Sequence, residues 1–383
     1  MTRSRLCSTI LCLVPAVLFW EPSQCWAWGG EAHEIIALLA DRLLETGDAP
    51  VEKKVAEILA TDKSNTWTKT DIAGEAIWAD ALREKSPEGR AATSKWHYIK
   101  LDPENPDVNK ACFGRPGLKP MMPASHGPQD DCAVDKIEQF AKELREPDTS
   151  APERLMALQF LLNLLGDIHD PLFTVERGDQ SGRCVAVLPP GSKIPVRLSV
   201  YWEDDLVAEA EGKNPAKAAE QIAARLTAVD IRKWSGGTPE EWARESYELA
   251  KWVVYGFPAS AGDHFSFPLR KGETDACGPV PLYRLDARYR DRAVAAVKEQ
   301  LAKAGTRLAF LLRESLQGTV HCKLSLSKKA RRVPAFASCS LTAATPRSRY
   351  PASSRYNGTG PQASASPLRV GNLNLPPASD GNR

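Results

Sequence analysis

The chain has 383 residues, 43% apolar and 26% charged, enough for one large domain or two ordinary ones, and this excludes a disordered or collagen-like polymer. Its formal charge of +2 points to no class of partner, but the sum conceals an asymmetry. Residues 321–383 hold ten Lys/Arg against the single acid Asp380, a net of +9, whereas residues 28–320 sum to −8.

Residues 1–27 read as a secretory signal. Arg3 and Arg5 form a positive start, Leu6 to Trp20 an apolar stretch too short and too interrupted to span a bilayer, and Cys25-Trp26-Ala27 places small residues at the cleavage positions. A retained anchor is the alternative. No later segment is apolar for long enough to cross a membrane, so the mature chain is expected in the periplasm or the external medium, not inserted in a membrane. Cleavage after Ala27 leaves Trp28 with a free α-amino group. Cys7, Cys12 and Cys25 depart with the signal and six cysteines remain. An even number in an exported protein favours disulfides. Cys112 and Cys132 flank a Pro/Gly-rich loop and are the first to pair; Cys184 with Cys277 is the next candidate, which spacing alone does not prove. Cys322 and Cys339 complete the six.

From about Glu31, helical patterns follow one another. Ile35, Ile36, Leu38, Leu39, Leu43 and Leu44 make a broad apolar face, and similar patterns run through 71–83, 133–144, 152–168, 215–229, 239–254 and 288–316. Thr238-Pro239-Glu240-Glu241 is a helix-start signal. Irregular, Pro-rich connections occupy 102–131 and 177–195, with no run of alternating strands. The expected fold is all-α: a signal over 1–27, a single large helical domain over 28–320, and a basic, low-complexity, disordered tail over 321–383. The tail's charge could attract nucleic acid or a membrane surface non-specifically, or it could be merely solvated.

The 152–168 pattern is leucine-rich on most sides yet carries a polar stripe at i, i+4, i+8: Gln159, Asn163 and Asp167. A carboxylate on a buried helix is costly unless it is paired or bound to a metal, and the helix alone leaves both readings open. His33 lies five residues beyond the new N-terminus, and an α-amine is itself a competent metal ligand. Asp80 and Arg83 share a helical face at i, i+3, and His97 lies between the aromatics Trp96 and Tyr98. Two His, two Asp and a terminal amine form a nitrogen/oxygen set suited to zinc.

These residues also carry a family resemblance. The start Trp28-x4-His33, then Trp78-Ala79-Asp80-x2-Arg83, Trp96-His97-Tyr98-Ile99, Gly166-Asp167-Ile168-His169-Asp170-Pro171-Leu172, the Arg177–Gly182 loop, Tyr201-Trp202-Glu203-Asp204-Asp205-Leu206 and Gln300–Ala309 occur in the order seen in the S1/P1 nucleases. The chain resembles that family of exported, zinc-dependent, single-strand-preferring nucleases over roughly 28–316. The resemblance implies an all-helical fold with a three-zinc cluster in a cleft, phosphodiester cleavage of DNA and RNA to 5′-phosphates, and removal of 3′-phosphates from nucleotides.

Matched residue by residue, the family's terminal ligand falls on Trp28, the next histidine on His33 and the bridging aspartate on Asp167, which together hold one zinc. Asp80 and His97 match ligands of a second, which shares Asp167, but the histidine expected beside them is Asn163, a weak ligand. At the third site the expected histidine is Phe173, and a His-x3-Asp pair falls on Ser199 and Glu203; Glu203 alone is a doubtful ligand. One or two zinc ions are therefore expected rather than three, with no spacing argument that His126, His169 or His264 compensates. By resemblance Asp80 orients the attacking water, Arg83 is a phosphate clamp, and Tyr98 stacks a base or simply packs in the core. Two alternatives stay open: a non-catalytic member that keeps its metals for structure or binding, and a phospholipase C-like phosphodiesterase of related fold. The chain is expected to act as a monomer.

Overall fold

The computed structural model describes residues 28–63, 67–258, 262–268 and 276–317, and the backbone of Val320–Cys322 and Cys339–Leu341. The signal reading of residues 1–27 lies outside these residues, as does most of the tail reading. At the start of the tail, the backbone of Val320–Cys322 pairs antiparallel with Cys339–Leu341.

A mostly helical architecture forms, as the expected fold class requires. The helix Gly30–Gly47 buries Ile35, Ile36, Leu39 and Leu44 against the long helix Ala287–Leu316 and against Pro215–Arg225. Gly305 permits the closest approach, since a Cβ there would lie 2.5 Å from a Leu39 methyl. Ala133–Arg145 packs on Ala151–Asp167 through stacked Phe140 and Phe160 rings, 4.7 Å between centroids. Ala151–Asp167 opens on a Ser150 cap with Pro152 in its first turn, and is buried continuously from Ala157 to Asp167. Its leucines demand that central position.

Several expected helices divide where the chain supplies a stop. The 71–83 pattern becomes Ile72–Ala76 and Trp78–Lys85, broken at Ile77, whose N–H closes a tight bond to the Gly74 carbonyl. Asp71 caps the first piece by accepting from Gly74 N–H at 2.8 Å. The 215–229 pattern ends at Arg225, and Thr227 with Asp230 forms a capping box that starts a new helix, Ala228–Trp234. The helix Pro239–Leu249 continues into a wider π turn, Ala250–Val254. Ala49–Leu59 is a helix that the pattern reading did not anticipate.

Short strands also form, one of them, Ala186–Leu188, inside the connection expected to be irregular and the others in segments given no element. Val196–Arg197, Ala186–Leu188, Val280–Arg284 and His264–Phe265 lie side by side in that order. Strands of two to five residues are too short to display alternation, which is why the sequence conceals them. Cys184–Cys277 ties this sheet together and Cys112–Cys132 closes the other long loop, so both candidate disulfides are formed. Among the described residues no helix is long and apolar enough to cross a membrane.

Candidate functional site

The polar stripe of Ala151–Asp167 is met rung by rung. Gln159 Nε2 donates to Glu75 Oε2 at 2.8 Å, and Asn163 Nδ2 donates to the Ala76 carbonyl and to Asp80 Oδ2, both at 2.9 Å. One turn further, Asp167 lies between two imidazoles. Its Oδ2 is 2.8 Å from His97 Nδ1, and its Oδ1 is 3.4 Å from His33 Nε2. Asp80 completes the cluster, 3.7 Å from His33 Nε2 and 3.9 Å from His97 Nδ1. None of the four is more than 1% exposed. Four segments far apart in sequence thus bring His33, Asp80, His97 and Asp167 together, with Asn163 on the same helix face.

Local sequence makes this possible. His33 stands in the first turn of its helix, and Gly166 opens the central helix to it: a Cβ at 166 would lie 2.6 Å from His33 Nδ1. His97 ends the short Ser94–His97 turn, fixed by Trp96, whose indole N–H donates to the Pro128 carbonyl at 2.9 Å. Arg83, one turn beyond Asp80, donates from its guanidinium to Asp80 Oδ1 at 2.7 Å.

Charge is concentrated in a buried cluster. Burial opposes ionisation of Asp167, but the two imidazoles outweigh it and hold the carboxyl down at about 2. Burial likewise opposes a charged His33, yet Asp167 and Asp80 raise it above the ordinary imidazole value. Asp170, three residues after Asp167, goes the other way: burial and the Asp167 charge push it up to about 7, against a hydrogen bond from Leu172 N–H.

The residues present fit a metal. Both ring nitrogens of His33, Nε2 of His97, Oδ1 of Asn163 and Oδ1 of Asp167 are buried with no hydrogen-bond partner. Buried polar atoms are otherwise almost always bonded, and two imidazoles with carboxylate oxygens are a donor set that zinc accepts. Asn163 presents its amide hydrogens to Asp80 and Ala76, so its oxygen is the atom left over. The neighbouring trio Cys112, Cys132 and Asp135 carries no such reading, because its two sulfurs are joined to each other.

Trp28 is fully buried, and the adjacent Gly29 N–H reaches the Glu203 carbonyl at 3.3 Å. A Cβ on Gly29 would lie 2.2 Å from an Asp204 side-chain oxygen and 3.2 Å from the Glu203 carbonyl, so the chain packs tightly here. Phe173, 2% exposed, offers no donor atom. Ser199 donates its backbone N–H to the Gly182 carbonyl at 3.4 Å, and Glu203 is buried in the 201–205 turn. None of the other candidate histidines joins the cluster. His126 is exposed beside Glu153, His264 is exposed, and buried His169 is fully employed by the Leu165 carbonyl and Arg307.

A cavity of about 580 Å³ adjoins Asp80 through Arg83. Arg83, Arg90, Lys100, Tyr98, Phe113 and Phe173 form its cationic and aromatic lining. Arg83 and Tyr98 were legible in the sequence; Lys100, Phe113 and the loop residues Gln180 and Ser181 were missed. Their only signal was position: Lys100 stands three residues after His97, and the loop lies within one of the ordered motifs.

Fold and centre together describe a mostly helical protein with a buried imidazole–carboxylate cluster beside a cavity lined by cations and aromatic rings. More narrowly, the chain belongs to the S1/P1 Nuclease family, whose model matches residues 28–317. Among curated proteins it is 25% identical to Endonuclease 1 of Arabidopsis thaliana, over 80% of this chain and 92% of that protein. It is 24% identical to Nuclease S1 of Aspergillus oryzae, over 75% of this chain and 91% of that protein. For Endonuclease 2 of Arabidopsis thaliana the identity is 23%, covering 82% and 98%.

Proposed function

We propose that this protein is an exported, zinc-dependent endonuclease that hydrolyses phosphodiester bonds of single-stranded DNA and RNA to 5′-phosphates, and that it also removes 3′-phosphates from nucleotides. The observation that carries this reading is the buried Asp167 carboxylate between His33 and His97, with donor atoms on all three left without protein partners. Trp28, His33, Asp80, His97 and Asp167 would hold one or two zinc ions, with Asn163 a weak auxiliary and Glu203 a doubtful one. Zinc, when bound, supplies positive charge to a phosphate and acidifies water toward neutral pH. Asp80 orients the attacking water, held in place by Arg83 on one oxygen and Asn163 on the other. Arg83 lines the cavity and meets the phosphate, a charge-assisted contact. Tyr98 stacks a base, worth about 1–3 kcal/mol. The protein acts as a monomer, and the basic tail adds non-specific attraction for nucleic acid.

A second reading, a member that keeps its metal for structure or ligand binding, is favoured by one feature: Asn163 and Arg83 already engage both Asp80 oxygens. Degradation of single-stranded DNA by protein beginning at Trp28, with zinc and then with chelator, separates the two. Chelator-sensitive cleavage supports the nuclease. A folded, zinc-containing protein that leaves the strand intact supports the second reading.

A further inference from the structure

We propose that Lys100 is a phosphate-binding residue of the cavity, giving it a fixed cation on the wall where Phe173 offers no donor. This rests on reading the cavity as the substrate site. The Lys100 ammonium stands between two rings of the lining, 5.2 Å from the Phe173 centroid and 5.6 Å from the Tyr98 centroid. It donates to the Leu172 carbonyl at 2.9 Å and to the Ser181 hydroxyl. Those two acceptors are neutral groups, and they fix the ammonium on the cavity wall.

The surroundings hold Lys100 rigidly. Ile99 N–H bonds to the Phe173 carbonyl and Leu101 N–H to the Thr174 carbonyl, both at 3.1 Å, and Glu176 N–H returns to Leu101. Lys100 is therefore clamped in a short parallel pairing that runs beside the metal-suited cluster. Its hydroxyl partner lies in a strained loop: Gln180 and Ser181, neither a glycine, hold φ of 55° and 57°. Such strain persists only where the surroundings enforce it, and it concentrates at ligand sites. Here Asp179 does the enforcing, accepting from Gly182 N–H at 3.1 Å and from the Tyr255 hydroxyl at 2.7 Å.

Acids share the lining, and one oxygen of each is engaged by the backbone. Asp102 accepts from the N–H groups of Glu104 and Asn105, Asp107 from those of Asn109 and Lys110, and Glu176 from that of Gly178. Arg83 and Arg90 add two further cations on the same lining, and Arg90 is anchored on the Arg83 and Glu84 carbonyls at 2.9 Å. A cavity lined by the cations Arg83, Arg90 and Lys100 and by the rings of Tyr98, Phe113 and Phe173 suits a phosphate bearing a planar base.

The test uses the whole zinc-loaded protein and two probes, inorganic phosphate and adenosine 5′-monophosphate, titrated calorimetrically. Lys100→Met should weaken both about ten- to hundredfold, the loss expected for one charged hydrogen bond, and should raise KM far more than it lowers kcat. Lys100→Arg should restore most of the affinity. In the unaltered protein, phosphate should slow acylation of Lys100 by acetic anhydride while leaving that of exposed Lys53 unchanged, a measurement that needs no folded variant. Wild-type phosphate affinity in folded Lys100→Met, or no protection in the unaltered protein, overturns the proposal. Lys100-dependent phosphate binding without strand cleavage would instead overturn the nuclease reading and leave this one standing.

Discussion

Two buried histidine environments lie at one end of the central helix, and they differ in a single respect. His169 is fully satisfied: Nδ1–H donates to the Leu165 carbonyl at 2.7 Å, Nε2 accepts from Arg307 at 2.9 Å, and Arg307 in turn grips Glu245. Burial, then the Arg307 charge, hold His169 well below the ordinary imidazole value, so it is a neutral acceptor. Two residues away the polarity of the arrangement reverses. His33 and His97 face carboxylates, retain nitrogens with no partner, and share one aspartate. Equal burial and equal residue type therefore carry opposite meanings. Closed hydrogen bonding marks a structural knot, and open donor atoms mark a ligand set.

The sharpest way to break that contrast is Asp167→Asn. The amide cannot bridge two imidazoles as an anion, so zinc content should drop and strand cleavage should fall about a thousandfold, equivalent to about 4 kcal/mol of transition-state stabilisation. Zinc analysis with single-turnover cleavage reads both quantities, and unchanged stoichiometry would remove Asp167 from the metal set. Arg307→Met attacks the other environment. It leaves His169 Nε2 without its donor and Glu245 with Lys303 alone, at a cost of about 2–3 kcal/mol in urea unfolding. Zinc stoichiometry should not change, and cleavage per folded molecule should stay near wild type. If zinc is lost as well, the two environments are one unit and the contrast fails.

Gly166→Ala probes the boundary between them. Its methyl would intrude to 2.6 Å from His33 Nδ1, and the helix backbone cannot retreat because Ala157 to Asp167 is packed throughout. An overpacking cost of about 1–3 kcal/mol is expected, with weakened zinc binding measured by competition against a chelating dye. A loss of stability with zinc affinity intact would mean that His33 is not held by metal.

How much of this was legible follows from reach along the chain. Asp167, Asn163 and Gln159 announced themselves by polar spacing on an apolar helix, and His33, Asp80, Arg83 and His97 stood in ordered motifs. Helix breaks at Ile77 and Leu226 were hidden because apolar periodicity continues across them while the stop lies in hydrogen bonding. Lys100 was invisible for a different reason. Its position is created by the pairing of 99–101 with 173–176, a contact between segments seventy residues apart that no local pattern encodes. Phe173 was noticed only as a missing ligand, although in the folded protein it is a wall of the cavity.

The smallest effect belongs to the rim of the structural knot. Burial tends to raise the Glu245 carboxyl, but the Arg307 hydrogen bonds and charge, with Lys303 beside them, hold it below the ordinary glutamate value. A lowered folded-state value means that the unfolded chain binds the proton first as pH falls. The stabilisation is thus complete above the unfolded value, near 4.5, and is lost as pH drops through the folded one. The Glu245 side chain is 43% exposed, so solvent screens the pair and its worth is about 0.5 kcal/mol. Glu245→Gln should therefore lower the melting temperature slightly at pH 6, by about 1–2 °C. It should cost progressively less as both proteins are acidified below pH 4.5. Parallel melting curves across that range would place the stabilisation in packing around Arg307 and Trp242, where the guanidinium lies 5.4 Å from the indole centroid, rather than in the ion pair.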